Sequence, residues 1–532
     1  MTTSYVQGYY PQQLLPVKQK PEQYPQPYYI PPSDNIEIEI PNDGKESSTQ
    51  KLINRDEFKN SKIEFNDSPK YQDVWATILY LLTLIATAVL AGICIPKLDL
   101  DKMYGSGSGS SNSSNNNSKK QNRDYGNFSK RSSNGGTTID LIIMICSSVI
   151  CSALLTFIYM ILMQKFAGKM IKGTFIISII LNLIYAVVSF FINPIMGIVM
   201  IFFALLYVVC YFFWRSRIPF ARVMLTTVTI VTRRFPATIF VGFMGCVVAA
   251  IWYAIIMLTL VASMTYLANE SPGAAYIVYV FLLFSFYYSS QVINNTVHVS
   301  ISGVFATYYF RSFINPTTNS IELDVKNPTV KSIKRAITTS FGSICFGSLI
   351  IAIINTLEAI ARQTKNDAAD DQNCLLCICA CCVECILSCI GDILEYFNVY
   401  AFTEVAIYGK SYCQAAKDTW TLCKARGIDA LINDNLIGNV LVIGSMAIGC
   451  LSALVTCILG FLILSINNVT SLIIYGVCAF LIGLMIFSVV AQVINSGVAT
   501  TFVCLCEDPD ALRQTKPELW EKVRDTYPSI VY

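Results

Sequence analysis

The sequence predicts an all-α fold: a polytopic membrane helical bundle of about ten transmembrane helices behind a disordered amino-terminal tail. Three observations carry that prediction. First, the 532 residues are 54% hydrophobic and only 14% charged, and the mean hydropathy is +0.52. A soluble chain carries about 25% charged residues, so this one lacks the charge to coat itself with water. Second, the apolar residues come in long blocks, and residues 436–506 contain no charged side chain at all. A bilayer core of roughly 30 Å takes about 20 apolar residues per helix, so that block holds two spans with a short break at INN. Third, the basic residues alternate from connection to connection. The net charge of +3 says little about partners; its placement says more.

Residues 1–70 open the chain as a disordered Pro/Tyr/Gln-rich tail, with PEQYPQPYYIPPSDN as its densest stretch. Such a composition buries too little apolar surface to offset chain entropy. A plain linker is the simpler reading; tyrosines among prolines binding a partner or accepting phosphate is the other. The tail has no apolar h-region, which predicts no cleavable signal peptide, the first span acting as targeting signal. The predicted spans are 74–95, 138–163, 173–192, 195–214, 236–266, 275–310, 338–360, 374–409, 436–465 and 470–505.

The connections 164–173, 215–234, 311–335 and 410–426 hold 17 Lys and Arg, whereas those near 193, 267–274, 361–373 and 466–472 hold two, Arg362 and Lys365. Basic loops stay cytoplasmic, which predicts both termini inside. N-x-S/T sequons at Asn112, Asn116, Asn127, Asn269 and Asn468 all fall in the opposite set of connections, the side where glycosylation occurs. A further triplet at Asn294 lies inside a span. The loop 97–137 is a flexible extracellular insert built on GSGSGSSNSSNNNS; its seven basic residues depart from the rule.

Two basic segments read as interfacial helices. In 410–426, Lys410, Lys417 and Lys424 recur every seven residues, a spacing that drifts only about 20° per repeat on a helix. Tyr412, Ala416, Trp420 and Cys423 form the apolar stripe, and such a helix lies among lipid headgroups. RIPFARVMLTTVTIVTRR, 217–234, is a less regular candidate.

Several motifs lose force on inspection. GKS at 409–411 has Glu404 where a phosphate loop needs its first glycine, so nothing here couples to ATP. The cluster Cys374, Cys377, Cys379, Cys381, Cys382, Cys385 and Cys389 opens as CxxC. On a helix, however, its i+4 stripe rises about 18 Å, too far to enclose one tetrahedral ion. Small packing residues, outer-leaflet disulfides and acylated thiols remain open for it. With a single histidine, His298, histidine-rich metal chemistry is excluded for a monomer. Ser343/Gly347, Ser348/Ala352 and Ser445/Gly449 are small-x-x-x-small pairs that let helices approach.

The candidate site comes from mid-depth. Trp and Tyr collect at membrane interfaces, yet Trp252, Tyr253, Tyr287 and Tyr288 lie well inside their spans. They precede QVINNTVHVS, with Asn294, Asn295 and His298, in a segment too long for one straight crossing. Polar residues and unwound backbone at the midplane are what transporter sites are made of; a packed aromatic core with amides bonding across helices is the bland alternative. Glu358 and Glu404 are acids within or near spans, and each is a candidate by cost alone. Aromatic faces with few acids suit a quaternary ammonium, which donates no strong hydrogen bond and is held by ring quadrupoles at about 2 kcal/mol per desolvated contact.

The wording of RIPFA (217–221), GVFATYYF (303–310), SFGSICFGSLIIAII (340–354), the cysteine cluster and NVYAFTEVAIYGKSYCQAAKDTW (398–420) resembles the choline transporter-like family over about residues 195–506. The resemblance implies about ten spans, a glycosylated first outer loop and a plasma-membrane location. It implies facilitative, non-ATP-driven uptake of choline, with proton antiport proposed for some members and a supply role for phosphatidylcholine synthesis. It divides the chain into the cytoplasmic tail 1–70, a transporter-like domain 71–506 and a cytoplasmic tail 507–532. The expected partners are choline or a similar small organic cation, membrane lipids and a binder of the amino-terminal tail; no cofactor, metal or nucleic acid is expected. In the leading reading the four aromatics form the cage, Asn294, Asn295 and His298 make polar contacts, and Glu358 or Glu404 balances charge. A channel-like pore and a non-transporting scaffold or receptor are the rivals. With no acid pair, His-based metal site or G-x-S-x-G, an intramembrane enzyme is the weakest reading.

Overall fold

The chain begins its described course at α1 (Val74–Cys94), an uncharged helix of 21 residues. The structure, a computed structural model, describes residues 70–97, 136–315, 320–462 and 469–526. After α1 come α2 (Gly136–Ile192), α3 (Pro194–Trp214), α4 (Ile218–Arg234), α5 (Ala237–Glu270) and α6 (Pro272–Arg311). A small hairpin follows, β1 (Ser312–Asn315) pairing antiparallel with β2 (Ser320–Leu323), Ser312 opposite Leu323. Then come α7 (Pro328–Ile337), α8 (Phe341–Asp370), α9 (Cys374–Tyr408), α10 (Tyr412–Leu462) and α11 (Val469–Glu507), closed by the short α12 (Pro509–Thr515) and α13 (Pro517–Thr526). Among the described residues nine helices are long and apolar enough to cross a membrane. In hydrocarbon each backbone N–H and C=O must be satisfied within its own segment, which is why so apolar a chain is helical throughout.

Nine helices hold the ten predicted segments because two of them run together in α2. Residues 138–163 and 173–192 share one helix of 57 residues, broken only at Phe166 (φ −121, ψ 22). At 1.5 Å per residue that is about 85 Å, nearly three bilayer cores. The break also divides its partners. Before it, α2 packs antiparallel to α10 through Ser148–Thr456 at 3.0 Å, Ser152–Ser452 at 2.7 Å and Tyr159 donating to the Val440 carbonyl at 2.7 Å. After it, α2 packs antiparallel to α3, with Phe175 stacked on Tyr207 at 4.8 Å. Asn193 ends the first of these helices and caps the second, its side chain accepting from the Ile195 and Met196 amides, with Pro194 opening α3.

The core is built on α6. Residues 297–310 of this helix are buried without interruption, packed by α5, α7, α8, α9 and α11. The contacts are close because the facing residues are small. A Cβ on Gly245 would strike Val297, one on Gly303 would strike Ser332, and one on Gly497 would strike Phe305. Likewise Gly483 of α11 lies against the backbone of Gly449 of α10, where an added Cβ would come 2.9 Å from the Gly449 Cα. Such contacts are how helices associate where lipid removes the hydrophobic drive.

Three expectations about particular segments change. First, α6 does not unwind; it is helical from Pro272 to Arg311, 40 residues. Second, 217–234 does form a helix, α4, but its apolar face is covered by protein rather than headgroups. Phe220, Leu225 and Val228 are in the core, Arg222 crosses Gly168 of α2, and Val228 meets Gly497 of α11. Third, the three lysines of 410–426 do not share a helical face. Lys410 precedes α10 and is held in a charge cluster, while Trp420 stays 57% exposed with the Lys424 ammonium 5.4 Å from its ring. Only that outer turn keeps an interfacial character. The cysteine-rich stretch is the uninterrupted first half of α9, with Cys374, Cys379, Cys381, Cys382, Cys385 and Cys389 exposed as free thiols. The sequons at Asn112, Asn116, Asn127 and Asn468 lie outside the described residues, and Asn269 falls in the last turn of α5.

Candidate functional site

Tyr287, Gln291 and Asn295 follow one another at four-residue spacing on α6 and therefore share a face. That face meets α8 and α9. Gln291 Nε2 donates to Glu395 Oε1 at 2.7 Å, and Asn355 Nδ2 donates to the same oxygen at 3.4 Å. Asn295 Nδ2 donates to Ser348 Oγ at 3.0 Å and to Gln291 Oε1 at 3.4 Å. Gln291 and Asn355 stand at the centres of α6 and α8, and Glu395 within about a turn of the centre of α9, so the seam lies at mid-bundle. Gly391, one turn before Glu395, brings α9 close: a Cβ there would rest 3.6 Å from Asn355 Oδ1.

Glu395 is the informative member. It is an exposed carboxylate in the middle of a span-length helix. A charge at that depth is costly against lipid and is kept only where it faces a partner or a wet cavity. Here two neutral amides orient it through one oxygen, and among the described residues no donor reaches Oε2. The arrangement presents a carboxylate held by two amides through one oxygen, with Tyr287 one turn along α6 from Gln291. It can hold a small cation.

The residues singled out in the sequence do not all converge there. Tyr287 and Asn295 join the seam, and Tyr287 lies within electrostatic reach of Glu358 and Arg362. Tyr253 is alongside, donating to Ser290 Oγ at 2.7 Å with its ring 4.9 Å from Phe286. Trp252 is half-buried, and its Nε1 is buried without an acceptor among the described residues. Tyr288 turns elsewhere, fully buried against Tyr80 of α1 at 5.0 Å and Phe284 at 5.5 Å. Asn294 is exposed; its recorded contact is a backbone one, the carbonyl accepting from Gln492 Nε2 at 3.4 Å. Glu358 is engaged by Arg362 at 2.7 Å, and Arg362 also bonds Glu384 at 2.8 Å.

His298 is a junction of three helices. Its Nδ1 lies 2.8 Å from Ser496 Oγ of α11 and its Nε2 2.9 Å from the Val399 carbonyl of α9. A carbonyl only accepts, so Nε2 carries the hydrogen and Nδ1 of a neutral ring accepts from Ser496. Both ring nitrogens are thereby occupied by protein.

Glu404 sits at the other end of α9, fully buried. Gly409 closes that helix in the left-handed conformation (φ 66, ψ 30), as C-terminal glycines do, and the turn folds Lys410 back. Its ammonium bonds Glu404 Oε2 at 3.1 Å and Asp418 Oδ2 at 2.7 Å and lies 4.0 Å from the Tyr408 ring. Burial alone would push Lys410 down; the two carboxylates outweigh it and hold the ammonium above its ordinary value. Tyr408 in turn bonds Glu507, and Asp73 receives Ser343 Oγ and the Tyr412 amide, each at 2.8 Å. The cluster ties the ends of five helices together. Glu404 thus lies at the bundle's end, paired with Lys410, and not beside Trp252, Tyr253, Tyr287 or Tyr288. Sequence reasoning passed over Glu395, and also Asp434, which accepts from Tyr396 at 3.2 Å and from Tyr400. The cost argument that singled out Glu404 applies equally to Glu395, which lies in the same span.

The fold and the seam define a class: a polytopic α-helical membrane protein with a charged, amide-lined seam at mid-bundle. Within that class the chain belongs to the choline transporter-like family. The family model described as plasma-membrane choline transporter matches residues 198–510. The chain is 32% identical over 483 residues to Protein PNS1 of Mycosarcoma maydis, covering 87% of this chain and 84% of that one. It is 32% identical over 464 residues to a CTL-like protein of Dictyostelium discoideum, covering 86% and 76%. To Protein PNS1 of Debaryomyces hansenii it is 32% identical over 483 residues, covering 87% and 88%.

Proposed function

We propose that the protein is a facilitative, non-ATP-driven transporter of choline or a related quaternary amine, working by alternating access. The seam of α6, α8 and α9 is the substrate path. Glu395 is the observation that carries this reading. A quaternary ammonium has no N–H to offer, so its site needs a fixed charge and polarisable faces rather than acceptors in a ring. Gln291 and Asn355 aim the carboxylate without neutralising it; Tyr287, with Tyr253 bonded to Ser290 on the same helix, supplies ring faces. The alternating basic connections and the sequons on the other side support both termini in the cytoplasm, and the family's description supports the plasma membrane.

Labelled-choline uptake into vesicles tests this. Wild-type protein takes up choline saturably, and Glu395→Gln lowers kcat/KM at least tenfold while leaving the folded yield unchanged. Uptake untouched by Glu395→Gln rejects the site. Absence of choline and ethanolamine uptake in the wild type rejects the substrate.

A further inference from the structure

At the basic end of the bundle, the end that carries α4, α7 and α13, lies a cleft of about 1130 Å³ between α2, α4, β2 and α13. Seven of its lining side chains are Lys or Arg and two are carboxylates, and one of those two, Asp525, is already engaged by Arg524 at 3.0 Å. On α2, Lys165 just before the break at Phe166 and Lys169 and Lys172 just after it are all exposed and all line the cleft. Arg222 of α4 is laid over Gly168, where a Cβ would come 2.9 Å from its Cδ, so the absence of a side chain brings the guanidinium into the cleft. Arg215 extends the rim.

The inner wall is Lys516. It is 7% exposed, and its ammonium donates to the Tyr308 carbonyl at 2.9 Å and to Ser312 Oγ at 2.8 Å, lying 4.1 Å from the Tyr308 ring. Of its three N–H donors two are used, and no carboxylate pairs with it among the described residues. A buried ammonium without a counter-ion is costly. Burial pulls Lys516 down to about 7, with Cys504 opposing and the positive Arg234 assisting. A surface helix that merely meets headgroups would need neither a concave wall nor a buried lysine behind it. The cleft is therefore a cradle of positive charge whose missing component is negative.

We propose that this cleft binds a polyphosphorylated anion, its phosphates meeting Lys165, Lys169, Lys172, Arg215, Arg222 and Lys516. Bidentate guanidinium contacts and point-charge lysines are the two phosphate-binding chemistries, and both are present. The same chemistry has two sources: a phosphoinositide headgroup in the bilayer or a soluble polyphosphate. The inference is independent of what passes through the seam.

The test uses the purified full-length protein. In one arm, inositol trisphosphate and inorganic pyrophosphate are titrated against protein in phosphatidylcholine nanodiscs, with sulfate at equal ionic strength as control. In the other, the protein is reconstituted in phosphatidylcholine nanodiscs with and without phosphatidylinositol bisphosphate, and thermal stability is read. The double variant Lys169→Ala/Lys172→Ala alters only exposed side chains, and Lys516→Met probes the wall. Saturable stabilisation by a soluble probe identifies a free ligand; stabilisation by the lipid alone identifies a headgroup. Either supports the site if the double variant weakens it at least tenfold and added salt weakens it further. Response to sulfate equal to that of the phosphates, binding undiminished in the double variant, or no response in either arm overturns it. A Lys516→Met protein that fails to fold leaves the double variant to decide.

Discussion

Helices α3 and α6 are both built of apolar residues, yet they occupy opposite places. In α3 only Gly197 and Ala204 are buried, while Phe202, Phe203, Phe212 and Phe213 are all more than half exposed. In α6 every residue from 297 to 310 is buried, among them His298, Ser300, Ser302 and Thr307. In water the greasier helix would go inside. In lipid the tails are as apolar as leucine, so burial is decided by small side chains that allow contact and polar ones that need partners. The helix whose polar groups find partners inside becomes the pole of the bundle, and the seam lies along it.

That comparison breaks if exposed and buried phenylalanines behave alike. Phe305 of α6 is 2% exposed and Phe203 of α3 is 56% exposed. Phe305→Ala is expected to cost about 3–5 kcal/mol, in the range of large-to-small core changes, and Phe203→Ala less than about 1 kcal/mol; thermal denaturation in detergent reads both. Next in size is overpacking. Gly483→Leu pushes a side chain into the Gly449 backbone and is expected to cost about 1–3 kcal/mol. Gly92→Leu on α1, where nothing lies within 4 Å, leaves the denaturation midpoint in place.

Uptake sharpens the comparison further. Glu395→Gln should reduce choline kcat/KM tenfold or more, worth about 1.4 kcal/mol, whereas Tyr185→Phe on the exposed half of α2 leaves it unchanged. The smallest effect concerns pH. Lys516 has a folded value of about 7 against an ordinary 10.5, so between those values the unfolded chain binds the extra proton. Stability therefore rises with pH across that window, and the full penalty is present below it. Wild-type protein should gain in midpoint from pH 7 to 9 relative to Lys516→Met, measured by thermal shift.

Much of the architecture was legible because charge poverty and long uncharged runs are direct consequences of a lipid solvent. Tyr287 and Asn295 were legible because polar groups at depth are rare enough to stand out. The remainder depended on which way helices face. Tyr287 and Tyr288 are adjacent in sequence but about 100° apart on a helix, so they look into different neighbours. Glu395 drew no notice although the depth argument covers it as well as Glu404; what the sequence could not supply was its amide partners on α6 and α8. The expectation of unwinding in α6 rested on length, although residues 274–302 contain neither Gly nor Pro, the residues that break helices. A different miss concerned Gly409, which ends α9 in the left-handed conformation: the sequence reading weighed it only against a phosphate loop, which it excluded, and not as a helix stop. Lys410 was thereby placed on a helix that begins at Tyr412.

The imidazole of His298 rivets three columns, giving one hydrogen to α9 and taking one from α11. Separating α6 from α9 or from α11 strips that buried ring of a hydrogen bond, so the three columns are tied to one another at this depth.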